Sequence, residues 1–259
     1  MRKARGALLR ASVAAAVLAA CLACGGRAAT PHSAPPSSPA AATRSRAGRA
    51  DLGGKDLAAA LLTRGEAHTV GYTVLSPAPA VEGPMAERNE ATPSRCHAVL
   101  DAMEGGRGAG YSALASESVR ADAHREAERS LLLAAFPGDG AARFMASLRA
   151  AVTSCGAFSY PGRYGGRVAA RVTPTGVAPT GADEAVGFLV STSSSPGGMT
   201  GEDEWAVTIV RCGTVTSTVT ADRGFGRLLT PRQRKQAMPA IEAAVVARQT
   251  AKLRTTMAE

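Results

Sequence analysis

Trp205-Ala206-Val207-Thr208-Ile209-Val210-Arg211-Cys212-Gly213-Thr214-Val215-Thr216-Ser217-Thr218-Val219-Thr220-Ala221 is the stretch whose reading sets the fold class. Its two halves are rich in β-branched residues, which favour a pleated backbone. The glycine between them permits a tight turn, so the stretch predicts a hairpin of residues 205–212 and 215–221 turning near Gly213. Further strands are expected at 167–172 and 185–192, separated by a Pro/Gly loop at 173–183 and followed by a polar, glycine-containing loop at 193–202. Upstream, 111–120 and 129–136 also read as strands. So does 69–75, where Val70, Tyr72 and Val74 alternate with Gly71 and Thr73. Residues 77–92, rich in Pro, Ala and acids, read as a loop.

Helical periodicity interrupts these strands four times. Leu57, Leu61 and Leu62 share a face over 55–62. Cys96, Val99, Leu100 and Met103 do so over 93–104, with Thr92 as N-cap and Pro93 at the first helical position. The strongest pattern is at 140–154, behind Asp139 as N-cap, where Phe144, Met145, Leu148, Val152 and Cys155 form one apolar stripe. Thr230-Pro231-Arg232-Gln233 is a capping box that should open a C-terminal helix. Met238, Ile241, Val245 and Leu253 give that helix its apolar side, and Pro239 should kink it. Helices interspersed with mostly antiparallel strands define an α+β class.

The N-terminus belongs to a different regime. Arg2, Lys3, Arg5 and Arg10 precede an uncharged Ala/Val/Leu run that ends at Ala20, the pattern of a secretory signal too short to span a bilayer. Leu18-Ala19-Ala20-Cys21 resembles a bacterial lipobox, which implies cleavage before Cys21 and a diacylglycerol on its thiol. The alternatives are an ordinary signal cut at an Ala-x-Ala site, or Cys24 as anchor without the preceding Leu. Residues 25–50 contain no Val, Ile, Leu, Met, aromatic or acidic residue. Such a segment has too little apolar surface to offset chain entropy and is expected to be a disordered tether reaching roughly 30 Å. The expected organisation is a signal peptide at 1–20, a lipidated N-terminus and tether at 21–50, and a single domain at 51–259.

Eight of the nine units of net positive charge lie in that leader. Eight of the 30 Lys and Arg lie before residue 51, while all 21 acids lie after it, so the domain carries 22 basic against 21 acidic residues. A nearly neutral domain with few aromatics has no basic stripe for nucleic acid, and that class is rejected. The tether's arginines could instead lie against anionic lipid head groups.

If Cys21 is lipidated, Cys24, Cys96, Cys155 and Cys212 remain, and an exported chain can keep disulfides. Three pairings are possible. The two helices that each carry a cysteine on the core side favour Cys96 with Cys155, closing a loop of about 60 residues worth roughly 4 kcal/mol in the chain-entropy picture. Cys212 is left as a buried thiol or a partner of Cys24.

Motifs for chemistry are missing. His32 falls in the tether, and His68, His97 and His124 stand singly. Gly110-Tyr111-Ser112-Ala113-Leu114 lacks the last glycine of a nucleophile elbow. Gly106-Arg107-Gly108-Ala109-Gly110 follows a helix, the wrong context for a dinucleotide loop. No metal-ligand spacing occurs in the domain. Glu202-Asp203-Glu204 reads as a solvated strand entry before it reads as a cation site. Trp205, the only tryptophan, reads as core before it reads as a cleft wall. No catalytic residue, metal ligand or cofactor is therefore assigned, and the ligand-binding residues are unknown.

The order of elements resembles that of actinobacterial lipoproteins with a sensor-like domain related to the extracellular domain of PknH-type serine/threonine kinases. The resemblance rests on the helix at Asp56-Leu57-Ala58-Ala59-Ala60-Leu61-Leu62, Gly71-Tyr72, Cys96 in the second helix, and Phe144 through Cys155. Gly181-Ala182-Asp183-Glu184-Ala185, the hairpin from Val207 to Val219 and the closing Lys252-Leu253 complete it. It implies a two-layer sandwich, a twisted and largely antiparallel sheet packed against helices, with a cleft for an extracellular ligand. The second disulfide of the kinase-linked domains has no counterpart pair here, and no kinase motif is present. The expected function is a non-catalytic, lipid-anchored binding or sensor-like domain on the extracytoplasmic face of the cell membrane. Its partners would be the membrane, through the lipid, and a small ligand, an envelope component or a protein. The alternatives are a protein-interaction or structural lipoprotein of the envelope and, more remotely, a hydrolase of envelope polymers.

Overall fold

The structure, a computed structural model, describes residues 52–83, 90–104, 109–122, 128–162, 166–178, 181–194, 201–225 and 241–258. The expected signal, Cys21, the tether, Cys24, His124, the capping box at Thr230 and the kink at Pro239 lie outside these residues.

In chain order the elements are α1 (Gly54–Ala60), α2 (Arg64–Thr69), β1 (Tyr72–Val74), β2 (Ala80–Glu82), a 3-10 turn (Ser94–Cys96) leading into α3 (His97–Met103), β3 (Ala113–Ala121) and β4 (Glu128–Ala135). They continue with α4 (Gly140–Ser154), β5 (Ala157–Pro161), β6 (Arg167–Thr175), β7 (Glu184–Ser194), β8 (Gly201–Cys212), β9 (Val215–Phe225) and α5 (Ala243–Thr256). The nine strands form one sheet in the order β1-β3-β4-β9-β8-β7-β6-β5, with β2 also paired to β3. Every described pairing is antiparallel. The α+β sandwich expected from the sequence is what is seen, with helices on both faces of the sheet and so three layers rather than the two implied, because both faces of the strands are apolar.

The hairpin at its centre is the quoted one. Cys212 pairs with Val215, so Gly213 and Thr214 form a two-residue turn. Gly213 has φ +59°, and a Cβ there would also meet the Met257 Cε at 2.9 Å. Both facts select glycine.

Strand alternation gives the sheet two apolar faces, and helices cover both. Leu131, Leu133, Val119 and Val219 pack with Leu57 and Leu61 from the α1 region and with Val245 and Leu253 of α5. Phe136, Phe188, Val190, Val207 and Ile209 pack on the opposite face with Val99 and Leu100 of α3 and Phe144, Met145 and Leu148 of α4. Burying each such large side chain contributes about 1.5–3 kcal/mol. Gln249 of α5 donates from Nε2 to the Ala60 carbonyl at 2.8 Å, supplying a partner that the end of α1 lacks internally. Cys96 and Cys155 are joined, Cα to Cα 5.4 Å, and bind α3 to α4 on the second face.

Several boundaries differ from the sequence reading, each for a physical reason. Thr63 and Glu66 form a capping box, with Thr63 N–H donating to Glu66 Oε2 at 2.9 Å and Glu66 N–H donating to Thr63 Oγ1 at 3.3 Å. Helix α2 therefore takes residues up to Thr69, and the strand expected at 69–75 shrinks to Tyr72–Val74. The loop expected at 77–92 contains β2, an edge strand that backbone pairing with β3 creates without side-chain alternation of its own. Thr92 is not the N-cap of α3. It exchanges backbone hydrogen bonds with Ser159 of β5, a strand the sequence reading missed, at 2.8 and 2.9 Å. Strand β8 begins at Gly201, so Glu202-Asp203-Glu204 lies inside it rather than at a solvated entry, and Trp205 is its fifth residue.

Candidate functional site: a hydroxyl-floored cleft on the second sheet face

Helices α3 and α4 cover only part of the second face. Beyond Met103 and Glu104, where α3 ends, the alternate residues of β3, β4 and β9 on that face are Ser116, Ser118, Ser130, Leu132 and Thr220. Ser76 and Ala78, between β1 and β2, and Ala80 of β2 border them along the β3 edge. Together with Trp205 these residues line a cleft of about 390 Å³. That volume lies at the lower end of the range for small-molecule sites.

The register explains why these side chains converge. Ser118 stands opposite Ser130 across β3 and β4, and Ser130 opposite Thr220 across β4 and β9. Thr220 stands opposite Val207 on β8, and Trp205 opposite Asp222. Residues directly opposite in an antiparallel pair project to the same face, so one row of hydroxyls runs across three strands and ends opposite Val207, two residues along β8 from the indole. Glu117, between Ser116 and Ser118, turns its side chain to the other face.

The hydroxyls of Ser116, Ser118, Ser130 and Thr220 have no side-chain hydrogen-bond partner among the described residues, although Thr220 is only 5% exposed. Ser76 differs, since its Oγ accepts from the Ser118 N–H at 3.0 Å. Acidic groups surround the indole end. Burial and the neighbouring Asp222 push the Asp203 carboxyl above its ordinary range. Burial, followed by Glu104 and Asp203, pushes Tyr160 up to about 12. Among the described residues no Lys, Arg or His lines the cleft.

A larger cleft of about 510 Å³ runs between the N-terminal parts of α3 and α4 and is lined by Arg95, His97, Asp101, Arg143 and Phe144 among others. Its charge is mixed, and Arg143 pairs with Asp139 one turn away. The smaller cleft is the stronger candidate because it presents several polar groups with no partner among the described residues.

The residues singled out from the sequence divide accordingly. Trp205 is a cleft wall as well as a neighbour of the second core. His97 borders the larger cleft, and His68 Nδ1 lies 3.7 Å from Asp122 on an exposed surface. Ser112 donates to the Ala135 carbonyl at 3.2 Å and has no base beside it. Cys212 is a free thiol, 1% exposed, whose pKa burial pushes up. Among the described residues no three His, Cys, Asp or Glu side chains gather as a metal site requires. No helix there is long and apolar enough to cross a membrane.

Other charged groups hold the frame. Arg211 donates from Nε and Nη2 to Glu184 Oε1 at 2.9 and 2.7 Å and from Nη1 to Asp183 Oδ2 at 3.2 Å. Asp183 also accepts from the Gly213 N–H at 2.7 Å and from Arg254 at 2.7 Å. Burial opposes ionisation of Asp183, but these donors outweigh it and hold the carboxyl below its usual range. The Asp183-Glu184 pair thus locks the central hairpin to α5. Tyr72 donates to Glu242, which lies 3.7 Å from the buried Arg129.

Among solved structures, the chain is similar to the extracellular domain of PknH from Mycobacterium tuberculosis, with 15% identity over 82% of this chain and all of that one, at a TM-score of 0.51. It is also similar to a putative uncharacterised protein of Mycobacterium smegmatis, with 14% identity over 74% of this chain and 97% of that one, at a TM-score of 0.38. No protein-family model matches the chain, and a search of curated protein sequences finds no match. The resemblance to a PknH-type extracellular domain is therefore one of fold.

Proposed function

We propose that this chain is a lipid-anchored extracytoplasmic binding domain of the sensor-like kind, without catalysis of its own, that takes a small ligand in the hydroxyl-floored cleft. The observation that carries this reading is the row of Ser118, Ser130 and Thr220 hydroxyls, with Ser116 next to it, that have no hydrogen-bond partner among the described residues and line a concave site. Such groups gain most from a ligand that completes their hydrogen bonds. The similarity in fold to an extracellular domain, the Cys96–Cys155 disulfide and the lipobox-like Cys21 are all consistent with export. A docking surface for a protein would want a contiguous apolar patch, and Val81 is the one exposed large hydrophobic side chain among the described residues.

The test uses the full chain exported by its native host. Mass spectrometry of the purified protein should find a bound compound in the wild type that Ser130→Arg, which fills the cleft floor, does not retain. Equal retention by the variant would refute the cleft. Cys21→Ala should release the protein from the membrane, and unchanged retention would refute the anchor.

A further inference from the structure

Resting on the reading of the cleft as the binding site, we infer that its ligand is a saccharide, neutral or amine-bearing, whose apolar ring face lies on Trp205 and whose hydroxyls meet the serine and threonine floor. The chemistry of the lining selects this class by elimination and by fit. An anionic ligand would need a cation, and the described lining offers none. It has Glu104 on its wall and Asp222 directly across from Trp205, with Asp203 on the same face. A lipid tail would need an apolar tunnel, whereas the floor is a row of hydroxyls. Each of Ser116, Ser118, Ser130 and Thr220 can both donate and accept, as each hydroxyl of a sugar can. Three such groups side by side, with Ser116 two residues along β3, match a polyol better than a ligand with one or two polar atoms.

The indole supplies what hydroxyls cannot. A flat aromatic wall beside polar groups matches a pyranose, which has one face of C–H bonds and an equatorial edge of O–H bonds. The nearby carboxylates would bind hydroxyls as acceptors and favour an ammonium substituent over a carboxylate one. Thr220 is the position most committed to the ligand, being 5% exposed with no hydrogen-bond partner among the described residues. A site built to bond a ligand hydroxyl discriminates against analogues that lack it.

Because Trp205 is the only tryptophan, its fluorescence reports on this cleft alone. The full chain in detergent would be titrated, to about 10 mM, with cellohexaose, chitohexaose, hexameric glucosamine and, as the anionic control, hexagalacturonate. A saturable change in emission with at least one neutral or amine-bearing oligomer, and none with the galacturonate, is expected. Thr220→Val keeps the shape and the reporter while removing one hydroxyl, and should weaken binding about tenfold. No saturable change with the neutral and amine-bearing oligomers, equal binding of the galacturonate, or unchanged affinity in Thr220→Val would overturn the saccharide assignment. If a compound recovered from the native protein shifts the emission while saccharides do not, the saccharide assignment fails and the cleft reading stands. If neither does, both fail.

Discussion

Glu117 offers the sharpest test of how this sheet is covered. Its carboxyl sits on β3 beneath α1 and α5, 5% exposed, with Oε1 lacking a hydrogen-bond partner. Burial raises its pKa from 4.5 to about 7, against the opposing pull of Lys252 and the Leu62 N–H, with Glu66 adding to the rise. Between those two values the native protein holds a proton that the unfolded chain has released. The contribution of Glu117 to stability is therefore full below about pH 4.5 and falls as pH rises toward 7, at about 1.4 kcal/mol per pH unit. The total loss is on the order of 3 kcal/mol as an upper figure.

Glu117→Gln removes the titration and keeps an acceptor for the Leu62 N–H. Urea unfolding followed by Trp205 fluorescence should find the variant close to wild type at about pH 4.5 and more stable by up to about 3 kcal/mol near pH 8. Glu66 does not confuse the result. Burial opposes its ionisation, but Lys252 at 2.6 Å and the Thr63 cap bring its pKa down to about 2. Its contribution is present above 4.5 and is lost only as pH falls toward 2. A wild-type stability that stays flat from pH 4.5 to 7, or a slope that persists undiminished in Glu117→Gln, would refute the placement of Glu117.

Two further outcomes follow from the frame. Replacing Cys96 and Cys155 by alanine opens a loop with a sequence separation of 59 and should lower stability by up to about 4 kcal/mol, read as a lower urea midpoint. An unchanged midpoint would remove the disulfide from the account of stability. Arg211→Lys loses the forked contact with Glu184 and the simultaneous contacts with Asp183 and the Gly213 carbonyl. It should cost about 1–2 kcal/mol in the same assay, because an ammonium cannot reproduce that geometry.

Much of this was legible in the residues themselves. The 3.6-residue stripe of Phe144, Met145, Leu148 and Val152 predicts α4, and the helix is found at Gly140–Ser154. The β-branched run around Gly213 predicts the central hairpin. Cysteines on the core sides of two helices favour the disulfide, because periodicity reports which way a side chain points and an exported chain can keep such a bond. These are local quantities, set by backbone geometry over a turn or two.

The cleft is of another kind. Ser116, Ser118, Ser130 and Thr220 show the alternation of any strand with one polar side, and that pattern is the same whether the polar side meets bulk water or a shared concavity. What makes them a site is that β9 inserts between β4 and β8, so that Thr220 stands beside Ser130 and close to Trp205, and that α3 stops at Met103. Pairing partners some 90 residues apart, and the length of sheet a helix happens to cover, are decided by which packing buries the most apolar surface, and no local period encodes that. The sequence by itself determined the α+β class, the helix faces and the hairpin, and it favoured the Cys96–Cys155 pairing that the structure then showed. Only the tertiary structure decided which polar residues of this protein face one another.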